Sequence, residues 1–220
     1  MQSPLLRKIL ILCFKAVFPP ENDKLQKEPY NESELKKTLN PVLSEWFFST
    51  FKEFSIPQLY GVMEIHNKNN ILISAPTGGT KTLTAFLSII NELMYLGEAN
   101  MLEDMIYCIY ISPLKALSRD IEKNLQEPLE QINKIAKQHK KEINIRIGLR
   151  TGDTSSNEKN MMLKKPPHIL ITTPETLAIT LTSIKFRELM RQVRYVIIDE
   201  IHALAENKRG QHNNTEPFCI

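Results

Sequence analysis

The stretch NILISAPTGGTKTLTAFL, residues 70–87, decides how the rest of the sequence is read. NILISA is a short β-branched run, PTGGT a glycine-containing loop, and from KTLTAFL onward Leu83, Phe86, Leu87, Ile90 and Met94 recur at helical spacing until Gly97 offers a stop. A strand, a glycine loop and Lys-Thr opening a helix form the context of a phosphate-binding loop. Successive backbone N–H groups and the helix N-terminus present partial positive charge to a triphosphate such as ATP. In that reading Thr77, Gly78, Gly79 and Thr80 line the loop, Lys81 reaches the β and γ phosphates, and Thr82 holds Mg²⁺. The competing reading is an ordinary strand-to-helix turn carrying a surface lysine.

Such a site needs a carboxylate at the end of another buried strand, and RYVIIDE (194–200) supplies two. Asp199 is the expected metal ligand, acting through water, and Glu200 the residue that orients or deprotonates an attacking water. Alone, an acid pair after an apolar run is common. Combined with the loop upstream it becomes specific.

Around these two pieces, short apolar runs alternate with longer helical patterns. The strand candidates are 70–75, 105–112 (MIYCIYIS), 143–149 (INIRIGL), 168–173 (HILITT) and 194–200, and their continuous apolar character predicts burial on both faces. The fold class that follows is α/β, a mostly parallel sheet flanked by helices. Residues 115–141 read as helical, broken or kinked at Pro128. PENDKLQKEPYNESELKKTLN (20–40) reads as a linker, so residues 1–40 are assigned to an extension, 41–210 to the principal domain and 211–220 to an atypical tail. LLRKILILCFKAVF near the start has the outline of a short signal segment, but Arg7, Lys8 and Lys15 interrupt it, and a helix packed on the core is the favoured reading.

Composition narrows the function classes. The 28 basic against 25 acidic residues give a net charge of +3, too small to demonstrate nucleic-acid binding without motifs. Cys13, Cys108 and Cys219 form no CxxC pair, which points to a reducing, cytoplasmic setting. No apolar run approaches the roughly 18 residues of a membrane-spanning helix, so no membrane association is expected.

With these motifs the sequence resembles the superfamily 2 helicases of the DEAD/DEAH type, whose first motor domain has the RecA-like P-loop fold. APTGGTKT (75–82) is similar to motif I, ISPLKAL (111–117) to motif Ia, ITTPETL (171–177) to motif Ib and DEIH (199–202) to motif II. The surrounding wording, including TGDTSSNEK and VRYVIIDEIHALAENKRG, is most similar to the large-helicase-related group of archaea and bacteria. A P-loop kinase or transport ATPase would leave ISPLKAL and ITTPETL unexplained. The resemblance implies ATP and Mg²⁺ at one edge and single-stranded DNA or RNA across another. It places Gln58, in FKEFSIPQLYGV, where the family senses adenine, and it implies phosphate contacts at Ser112, Lys115, Thr173 and the helix start at Pro174. Thr176 stands where DEAD-box relatives often carry arginine, which weakens one of the phosphate contacts that the resemblance implies. The lysines at 134, 137, 140 and 141 suit a helix C-terminus better than a binding patch.

Two departures shape the functional expectation. Thr80 replaces the glycine that precedes the lysine in motif I, where a β-branched residue adds bulk and stiffness, so weakened nucleotide binding is expected. After KRG the sequence reads QHNNTEPFCI, without the helix and motif III strand that the resemblance implies. In the family a second RecA-like domain supplies arginines to the transferring phosphate, a contribution worth about 10³–10⁵ in rate in related enzymes. This chain is therefore expected to have little or no turnover unless a separate chain supplies that domain. A non-catalytic module that keeps the fold is the alternative.

Overall fold

The computed structural model describes residues 9–13, 28–74, 80–113 and 115–200, with the main chain alone at 9–13 and 115–117. Thr77, Gly78 and Gly79 of the expected loop, and the residues from Ile201 onward, lie outside this set. In chain order the elements are β1 (Ile9–Cys13), α1 (Glu32–Thr38), α2 (Pro41–Thr50), α3 (Ile56–His66), β2 (Ile71–Ser74), α4 (Thr80–Glu98) and β3 (Cys108–Ile111). They continue with α5 (Lys115–Gln138), β4 (Ile147–Arg150), α6 (Ser156–Lys164), β5 (Ile169–Thr172), α7 (Pro174–Thr182), α8 (Ile184–Leu189) and β6 (Tyr195–Ile198).

The strands form a six-stranded sheet in the order β2-β1-β6-β3-β5-β4, every pairing parallel. Alternate residues feed two apolar layers, as expected when both faces of a parallel sheet are covered. Cys108 and Tyr110 of β3, Ile169 and Ile171 of β5, and Tyr195 and Ile197 of β6 join the larger cluster with residues of α2, α3, α4 and α5. Ile109, Ile111, Leu170 and Val196 join the smaller one with Met190 and, at its margin, Leu177 and Leu189.

The N-terminal segment departs from expectation. Ile9–Cys13 is a strand rather than a helix, and it is internal, pairing with β2 on one side and β6 on the other. A run of five apolar residues carries no period that distinguishes strand from buried helix, and here the main-chain demand of two neighbouring strands decides. Within the stretch read as a linker, α1 buries Leu35 completely, with Asn31 as its N-cap. The following turn is tied to α4 by the Asn40 N–H, which donates to Asn91 Oδ1 at 2.6 Å, and by Asn91 Nδ2, which donates to the Thr38 carbonyl at 3.1 Å. Pro128 lies inside α5, which continues to Gln138.

The helix pair α3 and α4 sets the position of the loop and depends on one glycine. A Cβ at Gly61 would lie 2.8 Å from Thr84 Cγ2 and 3.0 Å from Ile73 Cδ1. Thr84 cannot easily yield, because its hydroxyl donates to the Thr80 carbonyl at 2.7 Å. Gly61→Val is therefore expected to cost about 2–3 kcal/mol, the upper part of the usual overpacking range, read as a lower urea midpoint. An unchanged midpoint would show that α3 can slide along α4.

Candidate functional site

The carboxyl ends of the strands gather the predicted residues. Ile198, Ile111, Thr172 and Arg150 stand in one row across the sheet, so the next residues, Asp199, Ser112, Thr173 and Thr151, emerge at one edge. Through β1, Ile11 links Ile198 to Leu72, which brings Ser74 level with Glu200. The chain thus enters the glycine loop beside the acid pair, the arrangement in which open parallel sheets bind ligands.

Lys81 is 2 % exposed in the first turn of α4 and is not a surface lysine. Thr80 is the first residue of that helix, so its main chain is helical and needs no glycine conformation. What remains of its departure is side-chain bulk.

Asp199 is buried and its main-chain N–H donates to the Ile111 carbonyl at 2.9 Å. The Tyr110 hydroxyl donates to Asp199 Oδ2, and the Thr82 side chain acts on the same phenol, lowering its pKa against the larger effects that raise it. Burial, reinforced by the Asp199 carboxylate, raises the Tyr110 pKa above its ordinary value, so the phenol stays a donor. Tyr110 is itself fixed by stacking on Phe86, ring centroids 5.5 Å apart. One side chain therefore joins the two residues expected to share a metal. Tyr110 reads in sequence only as an apolar strand residue.

Glu200 follows with φ 52, a left-handed conformation, and its N–H donates to Asp199 Oδ1 at 3.0 Å. That conformation costs a non-glycine residue roughly 1–2 kcal/mol, and it turns the second carboxylate away from the strand direction. Strain of this kind gathers at ligand sites.

Among the described residues no group of three or more His, Cys, Asp or Glu could cage a metal. One buried carboxylate and one hydroxyl, both hard oxygen donors, suit an ion that keeps waters and takes further oxygens from phosphates, as Mg²⁺ does. The residues present fit that ion.

Gln58 lies at the start of α3, 2 % exposed rather than a surface residue, and its Oε1 accepts from the Ser55 N–H at 2.8 Å. Ser112 is buried, and its N–H donates to the Thr172 carbonyl at 3.0 Å. Thr173 caps α7, with Pro174 in the first turn, and its hydroxyl donates to Thr176 Oγ1 at 3.0 Å. Lys115 begins α5, but its side chain lies outside the described set. The buried thiol of Cys108 has its pKa raised by desolvation, which suppresses thiolate chemistry.

A family model for the DEAD/DEAH box helicase matches residues 55–215. The chain belongs to this family. This helicase domain is 58 % identical over 189 residues to the ATP-dependent helicase Lhr-Core of Methanothermobacter thermautotrophicus, covering 86 % of the present chain and 22 % of that protein. Against the Lhr helicase/uracil glycosylase of Escherichia coli the identity is 41 % over 191 residues, covering 84 % and 12 %. The fold superimposes on the Mycobacterium smegmatis helicase Lhr, solved bound to ssDNA and AMP-PNP, with a TM-score of 0.72 and 40 % identity over 80 % of this chain and 22 % of that one. The helicase domain thus spans about a fifth or less of these relatives, and its architecture is RecA-like. No described helix is long and apolar enough to cross a membrane.

Proposed function

We propose that this chain is the ATP- and nucleic-acid-binding first motor domain of a superfamily 2 helicase of the large-helicase-related group, acting in the cytoplasm. The observation that carries the reading is the junction of Thr82, Tyr110 and Asp199 beside the buried Lys81. Mg²⁺, when bound with ATP, would neutralise charge on the transferring phosphoryl group. Thr82 and Asp199 would hold it, and Tyr110 keeps the Asp199 carboxylate in place before it arrives. Lys81 faces the β and γ phosphates while Thr77, Gly78, Gly79 and Thr80 form the loop around them. Glu200, aimed by its left-handed main chain, orients the attacking water. Gln58 reads adenine with the amide donor left over from its bond to Ser55.

Across the same edge, Ser112, Lys115, Thr173 and the N–H groups after Pro174 carry the backbone of a DNA or RNA single strand. Completing the reaction requires arginines from a second RecA-like domain, which a separate chain would supply. A second reading, a module that keeps the fold without turnover, is favoured by the bulk of Thr80 on the phosphate path.

The test of the metal-binding part is linkage. ATP affinity in the wild-type chain is expected to rise at least tenfold on adding Mg²⁺, a difference of about 1.4 kcal/mol, by isothermal titration. Asp199→Ala should abolish that gain and leave metal-free ATP binding intact. A gain that persists in Asp199→Ala would remove Asp199 from the metal site.

A further inference from the structure

Arg150 ends β4 and is 7 % exposed, yet among the described residues no carboxylate pairs with it. Its Nε and Nη1 are buried without a hydrogen-bond partner, and its Cζ lies 3.8 Å from the centre of the Phe186 ring. The ring satisfies one face of the guanidinium but offers no acceptor to the in-plane N–H fork. Burying a cation with its donors unmade is expensive, because the charge gives up hydration and gains no hydrogen bonds in exchange. Desolvation accordingly lowers the Arg150 pKa from its usual value. An arrangement this unfavourable in the free domain is explained if an anion completes it.

The position says which anion. Arg150 is paired in register with Thr172, so both side chains leave the same face of the sheet, one residue before Thr173 caps the nine-residue α7. That helix start is on the expected strand path, and the helix, PETLAITLT, carries no cation of its own, its Thr176 Oγ1 accepting from the Thr173 hydroxyl. We propose that Arg150 binds a backbone phosphate of the single strand at this point, supplying the positive charge that Thr176 does not. The inference rests on the strand-binding reading above. The planar fork suits bidentate contact with phosphate oxygens, and Phe186 holds it ready.

Two measurements on the whole chain separate the inference from that reading. The first follows the Arg150 Nε–H resonance in arginine-labelled wild-type protein, titrated with inorganic phosphate and separately with an oligothymidylate. The second compares the salt dependence of oligothymidylate binding in wild type, Arg150→Gln and Arg150→Lys, with thermal unfolding as the folding control. The resonance is expected to move with both ligands. Arg150→Gln should lower the magnitude of the log–log salt slope by about 0.7, the value for one contact on a single strand, with Arg150→Lys restoring part of it. If the oligonucleotide binds but neither the resonance nor the slope responds, Arg150 is only a packing residue against Phe186 and the inference falls while the reading stands. If phosphate moves the resonance and no oligonucleotide binds, the anion site stands and the strand-binding reading falls. No response to either ligand overturns both. Should Arg150→Gln fail to fold, the wild-type resonance still decides.

Discussion

Deleting residues 1–27 is expected to leave a protein without a cooperative unfolding transition and without nucleotide affinity. β1 is bonded on both sides, with Leu10, Ile11, Leu12 and Cys13 opposite Ile71, Leu72, Ile73 and Ser74, and Ile9, Leu10 and Ile11 opposite Val196, Ile197 and Ile198. Its loss opens two ladders at once, and each buried main-chain group left unsatisfied costs roughly 1–3 kcal/mol. Several such groups consume the ~5–15 kcal/mol that a whole domain possesses. β2 would also part from β6, carrying the glycine loop away from Asp199 and Glu200. Ile11→Pro, which removes one donor from an internal strand, should act in the same direction with a smaller effect. The check is a urea titration followed by far-ultraviolet circular dichroism. A truncated protein that melts at the wild-type midpoint would show that β2 closes directly onto β6 or that another segment takes the place of β1.

The parts of this architecture that the sequence makes legible are those whose signal is local. β3, β5 and β6 announce themselves because both faces are buried and their runs are apolar without interruption, whereas β2, legible by the same kind of run, is an edge strand with Leu72 45 % exposed and is not buried on both faces as expected. α4 is legible through its stripe, and the loop through its neighbours on either side. The expected strand at 143–149 is shifted: Ile143 and Ile145 are buried in the larger apolar cluster but precede the ladder, which begins at Ile147. Their alternation reflects packing of an extended segment rather than pairing. α1 was hidden because one leucine suffices to anchor it, and one residue makes no stripe.

Long-range features are a different case. The bond from Tyr110 to Asp199 joins residues 89 apart in sequence, and nothing in MIYCIYIS distinguishes the tyrosine that meets an acid from the one that does not. Strand order, not strand identity, creates that contact. Arg150 was equally unreadable, since an arginine closing a strand looks solvated until α8 is seen to lay Phe186 over it. The site could be named from its motifs, whereas the residues that hold its parts in place required the fold.

The second large effect concerns Lys81. Its side chain is held in the first turn of α4, where main-chain N–H groups already favour an anion. A charge-assisted bond to phosphate in such a setting contributes about 2–3 kcal/mol, so Lys81→Ala is expected to weaken Mg²⁺-ATP binding roughly 30- to 140-fold. The alanine is compatible with a helix, and the unfolding midpoint of each protein is read beside its affinity so that an effect on the ligand is separated from one on the fold. The decisive measurement is an equilibrium titration of a fluorescent ATP analogue with Mg²⁺ into wild-type and Lys81→Ala protein. Saturable wild-type binding that Lys81→Ala weakens by that factor, at unchanged stability, is the predicted result; wild-type protein that does not bind, or a variant that binds equally well, would contradict the assignment of residues 75–82 as a working phosphate loop.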